Sequence, residues 1–281
     1  MRESMVHNEI AHQLSELPTA EPSKIALPDV RRLEAVSFRS WPASTTAYDG
    51  TWAIRLTAGH PSKRLNSVNP LDPGDSRDLE QRVERVSRRF NSFGRALVFR
   101  QSPLAPPELE HILDSRGWDR FDETMVMTLS LADADLDSAL DQVPLKDVGR
   151  WIDRCVEMRS FSSAVKPGLS ELIDHVHGEV GLFVLEQDAD TPQAACMAVR
   201  YGDLLGIFEV VSNPELRRQG HGRKILRNAL RWGREQGAQT AWLQVVSDNK
   251  AARTLYEDEG FSEVYRYAYR QAPGSDIEAL N

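Results

Sequence analysis

The most constraining feature of this sequence is an apolar strand that runs through a glycine-bearing loop into an amphipathic helix. Residues 204–212 read as a buried strand, and the following loop carries Gly220 and Gly222. Apolar residues then recur at helical spacing at Ile225, Leu226 and Ala229. Glycines at such a junction leave backbone amides uncovered at the positive end of the helix dipole, which suits a pyrophosphate without any metal. The same glycines can equally cap a helix.

Both halves of the chain show the same predicted order of helices and strands. In both halves a strand, a helix, a glycine-aromatic pair and a last strand follow one another. The pair is Gly117-Trp118 in the first half and Gly260-Phe261 in the second. This alternation predicts two similar α/β units.

Apolar periodicity and turn residues set the predicted elements. The first half is predicted to contain a helix from Pro28 that stops at Pro42, strands over 51–57, 64–70 and 96–102, helices over 78–93 and 109–117, and a strand over 124–131. The second half is predicted to contain helices over 147–160 and 169–177, strands over 181–188, 193–202 and 204–212, a helix over 222–237, a strand over 240–247, a helix over 249–259 and a strand over 264–270.

The length of 281 residues favours two domains, because single domains usually have about 100 to 200 residues. We predict a polar tail over 1–27, a first domain over 28–132, a linker over 133–146 and a second domain over 147–281. The linker contains the acid-rich stretch ADADLDSALD, which can alternatively form a short connecting helix.

Composition narrows the classes of partner and compartment. A net charge of -8 argues against nucleic-acid binding and favours a cationic substrate. No apolar run is long enough for a membrane span, and the first residues lack a secretory signal, so we expect a cytoplasmic protein that binds no membrane. Cys155 and Cys196 stand in predicted core segments and are expected to be buried thiols.

Two motifs in the second half resemble the signatures of the GNAT superfamily of acyl-CoA-dependent N-acyltransferases. The first is Arg217-x-x-Gly220-x-Gly222. The second, about 27 residues later, is Asn249-x-x-Ala252-x-x-Leu255-Tyr256, followed by Gly260-Phe261. The resemblance covers residues 147–270 and implies a fold of mixed α/β class, with two GNAT-like domains in tandem, each a mostly antiparallel mixed sheet flanked by helices.

The resemblance also implies acetyl-CoA as co-substrate, without a metal. In the family fold the fourth and fifth strands splay apart, and the strand over 204–212 stands in the place of the fourth. The pantetheine arm is therefore expected to pair with Val210, Val211 and Ser212. Asn249 and Ala252 are expected at the pantetheine, although Asn249 is also a good helix cap. The resemblance implies that the pyrophosphate lies on the loop residues Arg217, Arg218, Gln219, Gly220, His221, Gly222 and Arg223.

The resemblance assigns catalytic roles to two further positions. Tyr256 matches the tyrosine that protonates the leaving thiolate, and its alternative is a core aromatic residue. Glu209, on the strand over 204–212, stands where several members carry the base that takes the proton of the amine. Its alternatives are a solvated strand residue or a group that binds a cationic substrate. His221 is expected to be loop surface, and Arg227, Arg231 and Arg234 the solvated side of a helix.

The first half lacks this chemistry. Residues 71–78, LDPGDSRD, replace the glycine motif with acids, and Leu113 stands where Tyr256 stands in the second half. The first half therefore resembles the degenerate copy of tandem GNAT proteins. Residues 52–55 and 64–68 are polar enough to line an acceptor cleft, and a purely structural role is the alternative.

Together these features predict an N-acetyltransferase that moves an acetyl group onto a primary amine of a small molecule by direct attack in a ternary complex. We expect a monomer or a homodimer. The alternatives are a non-catalytic acyl-CoA sensor, a partner-binding module, an enzyme that acts on a protein or peptide amine, and a tandem member that condenses a cysteine amine in thiol biosynthesis.

Overall fold

The computed structural model describes residues 26–188 and 191–275, in which seven α-helices surround a single ten-stranded sheet. The predicted tail over 1–27 lies almost wholly outside the described residues. The elements of the first half are α1 (Leu27–Ser40), β1 (Thr45–Asp49), β2 (Trp52–Leu56), β3 (Ser67–Pro70), α2 (Leu79–Ser92), β4 (Val98–Gln101), α3 (Pro107–Ser115) and β5 (Asp119–Ser130).

The second half follows the same order with one added helix. Its elements are α4 (Val148–Arg159), α5 (Lys166–Asp174), β6 (Glu179–Glu186), β7 (Pro192–Tyr201), β8 (Leu204–Ser212), α6 (His221–Glu235), β9 (Thr240–Val246), α7 (Lys250–Asp258) and β10 (Ser262–Gln271). Short 3-10 turns precede α5 at Ser163–Val165 and α6 at Pro214–Leu216. Strand β1 was not predicted, because it is a mostly exposed edge strand without an apolar face.

The sheet joins the two halves by exchanging their last strands. Its order is β1-β2-β3-β4-β10-β5-β9-β8-β7-β6. Strand β10 of the second half lies between β4 and β5, and β5 of the first half pairs with β9. Pairing is parallel between β3 and β4 and between β8 and β9, and antiparallel elsewhere in the described sheet. Neither half therefore completes its sheet with its own strands.

Helices cover both faces of this sheet. On one face, α1, α4 and α5 pack over β10 in a core that includes Val30, Trp151, Leu169, Tyr265 and Tyr267. On the opposite face, α6 packs over the second half, and α2 and α3 pack over the first half.

The predicted linker contains turns but no helix in the structure, and it lies against α6. Leu136 and Ala139 are buried in the same core as α6. Asn228 of α6 accepts a hydrogen bond from the amide of Leu140 at 2.9 Å, and its own amide donates to Gln142 at 2.8 Å. The segment is therefore packed as part of the second half.

A buried ion pair fastens α1 to the exchanged strand. Arg100 of β4 donates to both carboxylate oxygens of Glu34 on α1, one of them at 2.9 Å. The hydroxyl of Tyr265 on β10 donates to the same carboxylate at 2.5 Å. Glu34 and Arg100 are 2% and 3% exposed, so their charges compensate each other away from water.

Glu34→Gln tests this cluster. The substitution keeps the size of the side chain but leaves Arg100 buried without a counter-charge, so we expect the free energy of unfolding to fall by about 3 kcal/mol in urea titrations. Asp203→Asn is the control, since it breaks the exposed pair of Asp203 with Arg32 and is expected to cost less than about 1 kcal/mol. Equal losses in the two variants would contradict the role given to burial.

Candidate active site

A β-bulge in β8 opens the sheet at the candidate site. Between the pairs Ala195↔Val211 and Met197↔Phe208, two residues of β8, Glu209 and Val210, face one residue of β7. Glu209 adopts a φ of 52°, a left-handed conformation that is uncommon for a residue with a side chain.

A tryptophan supports this bulge from the helical layer. Trp151 of α4 donates its indole N–H at 3.1 Å to the carbonyl of Cys196, the residue of β7 opposite the bulge. This hydrogen bond gives the Cys196 carbonyl a partner at the point where the bulge interrupts the β7–β8 ladder.

The expected splaying of two strands begins immediately before the bulge. Parallel pairing of β8 with β9 runs from Leu204↔Thr240 to Ile207↔Leu243 and then ends. The last residues of both strands diverge and expose backbone toward the gap.

A cavity of about 420 Å³ occupies this gap and reaches both faces of the sheet. Tyr256 and Ala252 of α7 line it on the α6 side. Val156 and Arg159 of α4 line it on the opposite side. Five aromatic residues complete the chamber on that side, namely Trp41, Phe161, Phe208, Tyr267 and Tyr269.

The glycine loop leads into a helix whose first turn has no side-chain cap. Gly220 precedes the first residue of α6, has a φ of 81°, and no side chain caps the helix. A Cβ atom at Gly222 would lie 3.0 Å from the Ser212 hydroxyl oxygen, so a larger residue there crowds the end of β8. The amides of the first turn of α6 are therefore accessible, and they lie beside the predicted pantetheine strand.

The arginines of the loop differ in their contacts. Arg217 and Arg218 are exposed and form no ion pair with any described residue. Arg223 instead forms ion pairs with Asp258 at 2.7 Å and Glu259 at 3.0 Å on α7. His221 has a buried Nε2 atom without a partner among the described residues.

Of the three arginines predicted on the solvated face of α6, Arg234 is exposed, whereas Arg227 and Arg231 are half-buried. Arg227 bonds to the Ser138 hydroxyl at 2.7 Å, and Arg231 donates to the Ala139 carbonyl at 2.9 Å. They hold the segment after β5 against α6.

The predicted cofactor and acid residues of α7 meet in the cavity. Asn249 caps α7, because its side-chain oxygen accepts from the Ala252 amide at 3.2 Å, while its amide nitrogen has no partner in the described part of the chain. The Tyr256 ring packs edge-on against Phe261 at 5.9 Å. Burial, followed by the influence of Cys196, raises the pKa of Tyr256 to about 12. Tyr256 is thus protonated at neutral pH.

Glu209 stands on the opposite wall in an ion pair. Its carboxylate lies 3.0 Å from the guanidinium of Arg159, and both side chains are partly buried. Cys155 lines the same cavity, and burial raises the pKa of its thiol well above the usual range. Cys155 and Cys196 are both free and buried, as predicted.

The first half contributes a loop that sequence reasoning identified only in part. Residues 60–64, between β2 and β3, line the cavity. Of the residues predicted at a cleft, Arg64 lies on its wall, whereas Trp52 and Ile54 are buried in the core of the first half. His60 and Lys63 were missed, and the available signal was a glycine, a proline and three basic residues in one short interstrand loop.

The described residues contain no group of three or more His, Cys, Asp or Glu side chains that could hold a metal ion. None of their helices combines the length and the apolarity that crossing a bilayer requires.

Sequence comparisons match most of the chain. The family described as "Probable histone acetyltransferase Rv0428c C-terminal" matches residues 28–270. The uncharacterized N-acetyltransferase YobR of Bacillus subtilis is 26% identical over 252 residues, which are 86% of this chain and 98% of YobR. The ribosomal protein bS18-alanine N-acetyltransferase of Escherichia coli is 39% identical over 57 residues, which are 20% of this chain and 38% of that enzyme.

Solved structures share the fold at low identity. A GCN5-related N-acetyltransferase from Kribbella flavida has a TM-score of 0.67 at 15% identity, covering 87% of this chain and 96% of that chain. A tandem GNAT protein from the clavulanic acid biosynthesis pathway has a TM-score of 0.57 at 16% identity, covering 87% of this chain and 89% of that chain. The predicted mixed α/β fold is confirmed.

Gly220→Glu tests the predicted pyrophosphate site. An acidic side chain at the start of α6 repels phosphate, so calorimetry is expected to detect one acetyl-CoA site per wild-type chain and no binding to the variant. Gly202→Glu is a matched control, because Gly202 also has a positive φ and open space, but lies in the β7–β8 turn. Two sites per wild-type chain, or unchanged binding to Gly220→Glu, would contradict the assignment.

Proposed function

Because this chain belongs to the family described as probable histone acetyltransferase Rv0428c C-terminal, within the GNAT superfamily of N-acetyltransferases, we propose that it transfers acetyl from acetyl-CoA to a small primary amine. The observation that carries the proposal is the cavity at the diverging ends of β8 and β9, which has Tyr256 on one wall and Glu209 on the other. Such a gap lets two reactants meet from opposite faces of the sheet.

The cofactor enters on the α6 side. Its pyrophosphate binds the first-turn amides of α6, with added charge from Arg217 and Arg218. Pantetheine extends along the unpaired edge of Val210, Val211 and Ser212 in the manner of an added strand, and the free amide nitrogen of Asn249 donates to it. The thioester then lies beside Tyr256.

The amine attacks from the other face. It must lose a proton, which passes to Glu209 directly or through water, and the new C–N bond forms as the thioester carbonyl becomes an oxyanion. A backbone amide of β8 that faces the gap stabilises this oxyanion, an effect worth about 3 kcal/mol for one well-placed donor. The C–S bond then breaks, and the sulfur leaves toward Tyr256.

The raised pKa of Tyr256 determines how this residue assists the departure of the sulfur. A thiol ordinarily has a pKa near about 8.5, so a phenol with a pKa of about 12 stabilises a thiolate by hydrogen bonding more readily than by transferring its proton. The same cavity raises the pKa of the Cys155 thiol by burial, and a thiolate formed nearby is subject to the same desolvation. Desolvation of the thiolate therefore brings the pKa of the leaving thiol closer to the pKa of Tyr256.

The shape of the chamber favours a small acceptor. Its walls come from both halves, with loop 60–64 on one side and α4 on the other, and its volume suits a molecule of modest size. An amine at the end of a peptide is the second candidate, supported by the similarity to the ribosomal protein bS18-alanine N-acetyltransferases. That similarity covers only a fifth of this chain, so it carries less weight.

Tyr256→Phe isolates the hydroxyl, since the ring keeps its packing against Phe261. We expect kcat to fall about 100-fold with the KM for acetyl-CoA nearly unchanged, because only stabilisation of the leaving sulfur is lost. Steady-state kinetics with a thiol reagent for released coenzyme A measures both constants. Tyr48→Phe, on the exposed edge strand β1, is the control and is expected to retain full activity. An unchanged kcat in Tyr256→Phe would exclude the acid role.

A panel of acceptors tests the substrate class. Released coenzyme A is measured with free small amines, short peptides and folded proteins presented at equal amine concentration. We expect kcat/KM to be highest for small amines, because a folded surface does not enter the enclosed chamber. Preference for folded proteins would overturn the small-amine proposal, and acetyl-CoA binding without turnover on any amine would indicate a sensor.

A further inference from the structure

The acceptor side of the cavity contains one cation without a counter-ion. Arg64 of loop 60–64 lines the cavity, and its guanidinium forms no ion pair or hydrogen bond with any residue in the described ranges. An arginine facing a partly enclosed chamber without an acid is a binding site for an anion.

The other charges of the chamber are already compensated. Lys63 forms an ion pair with Asp122 and lies over the ring of Tyr269, 5.7 Å from its centroid. Glu209 is paired with Arg159. Both carboxylates thus have a cation of their own, and neither neutralises Arg64.

The other basic groups near the chamber leave the charge of Arg64 uncompensated. Burial lowers the pKa of His60, and among nearby charges Glu209 opposes this shift while Arg95 and Arg64 reinforce it, so the imidazole is neutral at pH 7. Arg55, behind the chamber, donates to the Trp41 carbonyl and has no acid within bonding distance in the described chain. Its pKa is lowered to about 9, mainly by burial, and it is still charged at neutral pH.

The loop that presents Arg64 is held rigidly. The Asn66 side chain donates to the His60 carbonyl at 2.7 Å and accepts from the Thr57 amide at 2.8 Å. Arg95 donates to the carbonyls of Thr57 and Ala58, each at 3.0 Å. A Cβ atom at Gly168 would overlap the carbonyl of Gly59, which shows that α5 presses against the loop.

We propose that Arg64 binds an acidic group of the acceptor, so that the substrate is an amine that also carries a carboxylate or a phosphate. This inference rests on the proposed acetyl transfer. The amine lies at Glu209, the acidic group lies on the guanidinium fork of Arg64, and the body of the molecule packs on Tyr267 and Phe161. The first half of the chain, which carries Arg64, thereby selects the acceptor.

The chemistry of the fork fits this role. A planar guanidinium offers two parallel N–H donors that match a carboxylate or phosphate, and such charge-assisted pairs are stronger than neutral ones. Because the loop is already fixed, little conformational entropy is lost when the anion binds.

The test compares matched acceptors in two variants. One amine is offered as its carboxylic acid, as its primary amide and as the corresponding phosphonate, and kcat/KM is measured for wild type, Arg64→Gln and Arg88→Gln. Arg88 is an exposed arginine of α2 and undergoes the same charge change far from the cavity. The ratio of the acid value to the amide value contains the difference in amine basicity, and comparison of this ratio between wild type and variant cancels that difference.

We expect this ratio to fall about 10- to 100-fold in Arg64→Gln and to stay unchanged in Arg88→Gln, as for loss of one charged hydrogen-bonding partner. The acid and phosphonate arms identify which anion is preferred. A ratio that is equal in wild type and Arg64→Gln overturns the inference, as does a raised KM for acetyl-CoA with every acceptor, which would assign Arg64 to the cofactor.

A binding measurement separates this inference from the proposed function. Calorimetry of the same acids in the presence of coenzyme A reports binding without turnover. Loss of acid binding in Arg64→Gln supports the anion site even where no acetyl transfer occurs, whereas absence of acid binding to wild type overturns it. Absence of transfer with every amine contradicts only the acetyltransferase proposal.

Discussion

The insertion of β10 between β4 and β5 is the constraint on which the rest of the structure depends. Strand β10 pairs with β4 over four residues and with β5 along most of its length. Its alternate tyrosines, Tyr265, Tyr267 and Tyr269, point into one helical layer and merge the cores of the two halves. Because Tyr267 and Tyr269 also line the cavity, the strand that closes the sheet builds the acceptor chamber as well. Folding of the first half and formation of the site are therefore coupled.

The bulge at Glu209 is the second constraint, because it interrupts the sheet and opens the cavity. A regular ladder would pair β8 and β9 to their ends and leave no backbone for a cofactor. The extra residue redirects β8 after Ile207, and the left-handed φ of Glu209 is retained because the surrounding strands determine it. The same backbone change aims the Glu209 carboxylate at Arg159 and the acceptor chamber. One local irregularity thus opens the gap that we propose for the cofactor and orients the candidate base.

Sequence reasoning succeeded where the determinants are local and failed where they are not. The glycine loop, Asn249 and Tyr256 lie in two short segments whose spacing fixes their place at the start of α6 and along α7. Asn249 and Tyr256 line the cavity, and Gly222 of the loop lies beside Ser212 at the end of β8. The strand exchange was not predicted, because helical and strand periodicity carries no information about which half a strand joins. Arg227 and Arg231 looked like a solvated face, since their partners are backbone and hydroxyl groups about 90 residues away. His60 had the same disadvantage, because its neighbours on α5 and β8 are remote in sequence.

The charge of the chain and the charge of its chamber lead to different expectations for the acceptor. A net charge of -8 favours a cationic ligand, but it is a sum over the whole sequence, and exposed charges act weakly beyond a Debye length of about 8 Å. Inside the chamber, Asp122 and Glu209 are each neutralised by a cation, while Arg64 is not. In a partly buried site the nearest uncompensated charge dominates, because water screens it least. The local field therefore favours an acceptor with a negative group, and the acidic surface bears chiefly on solubility and on repulsion of nucleic acids.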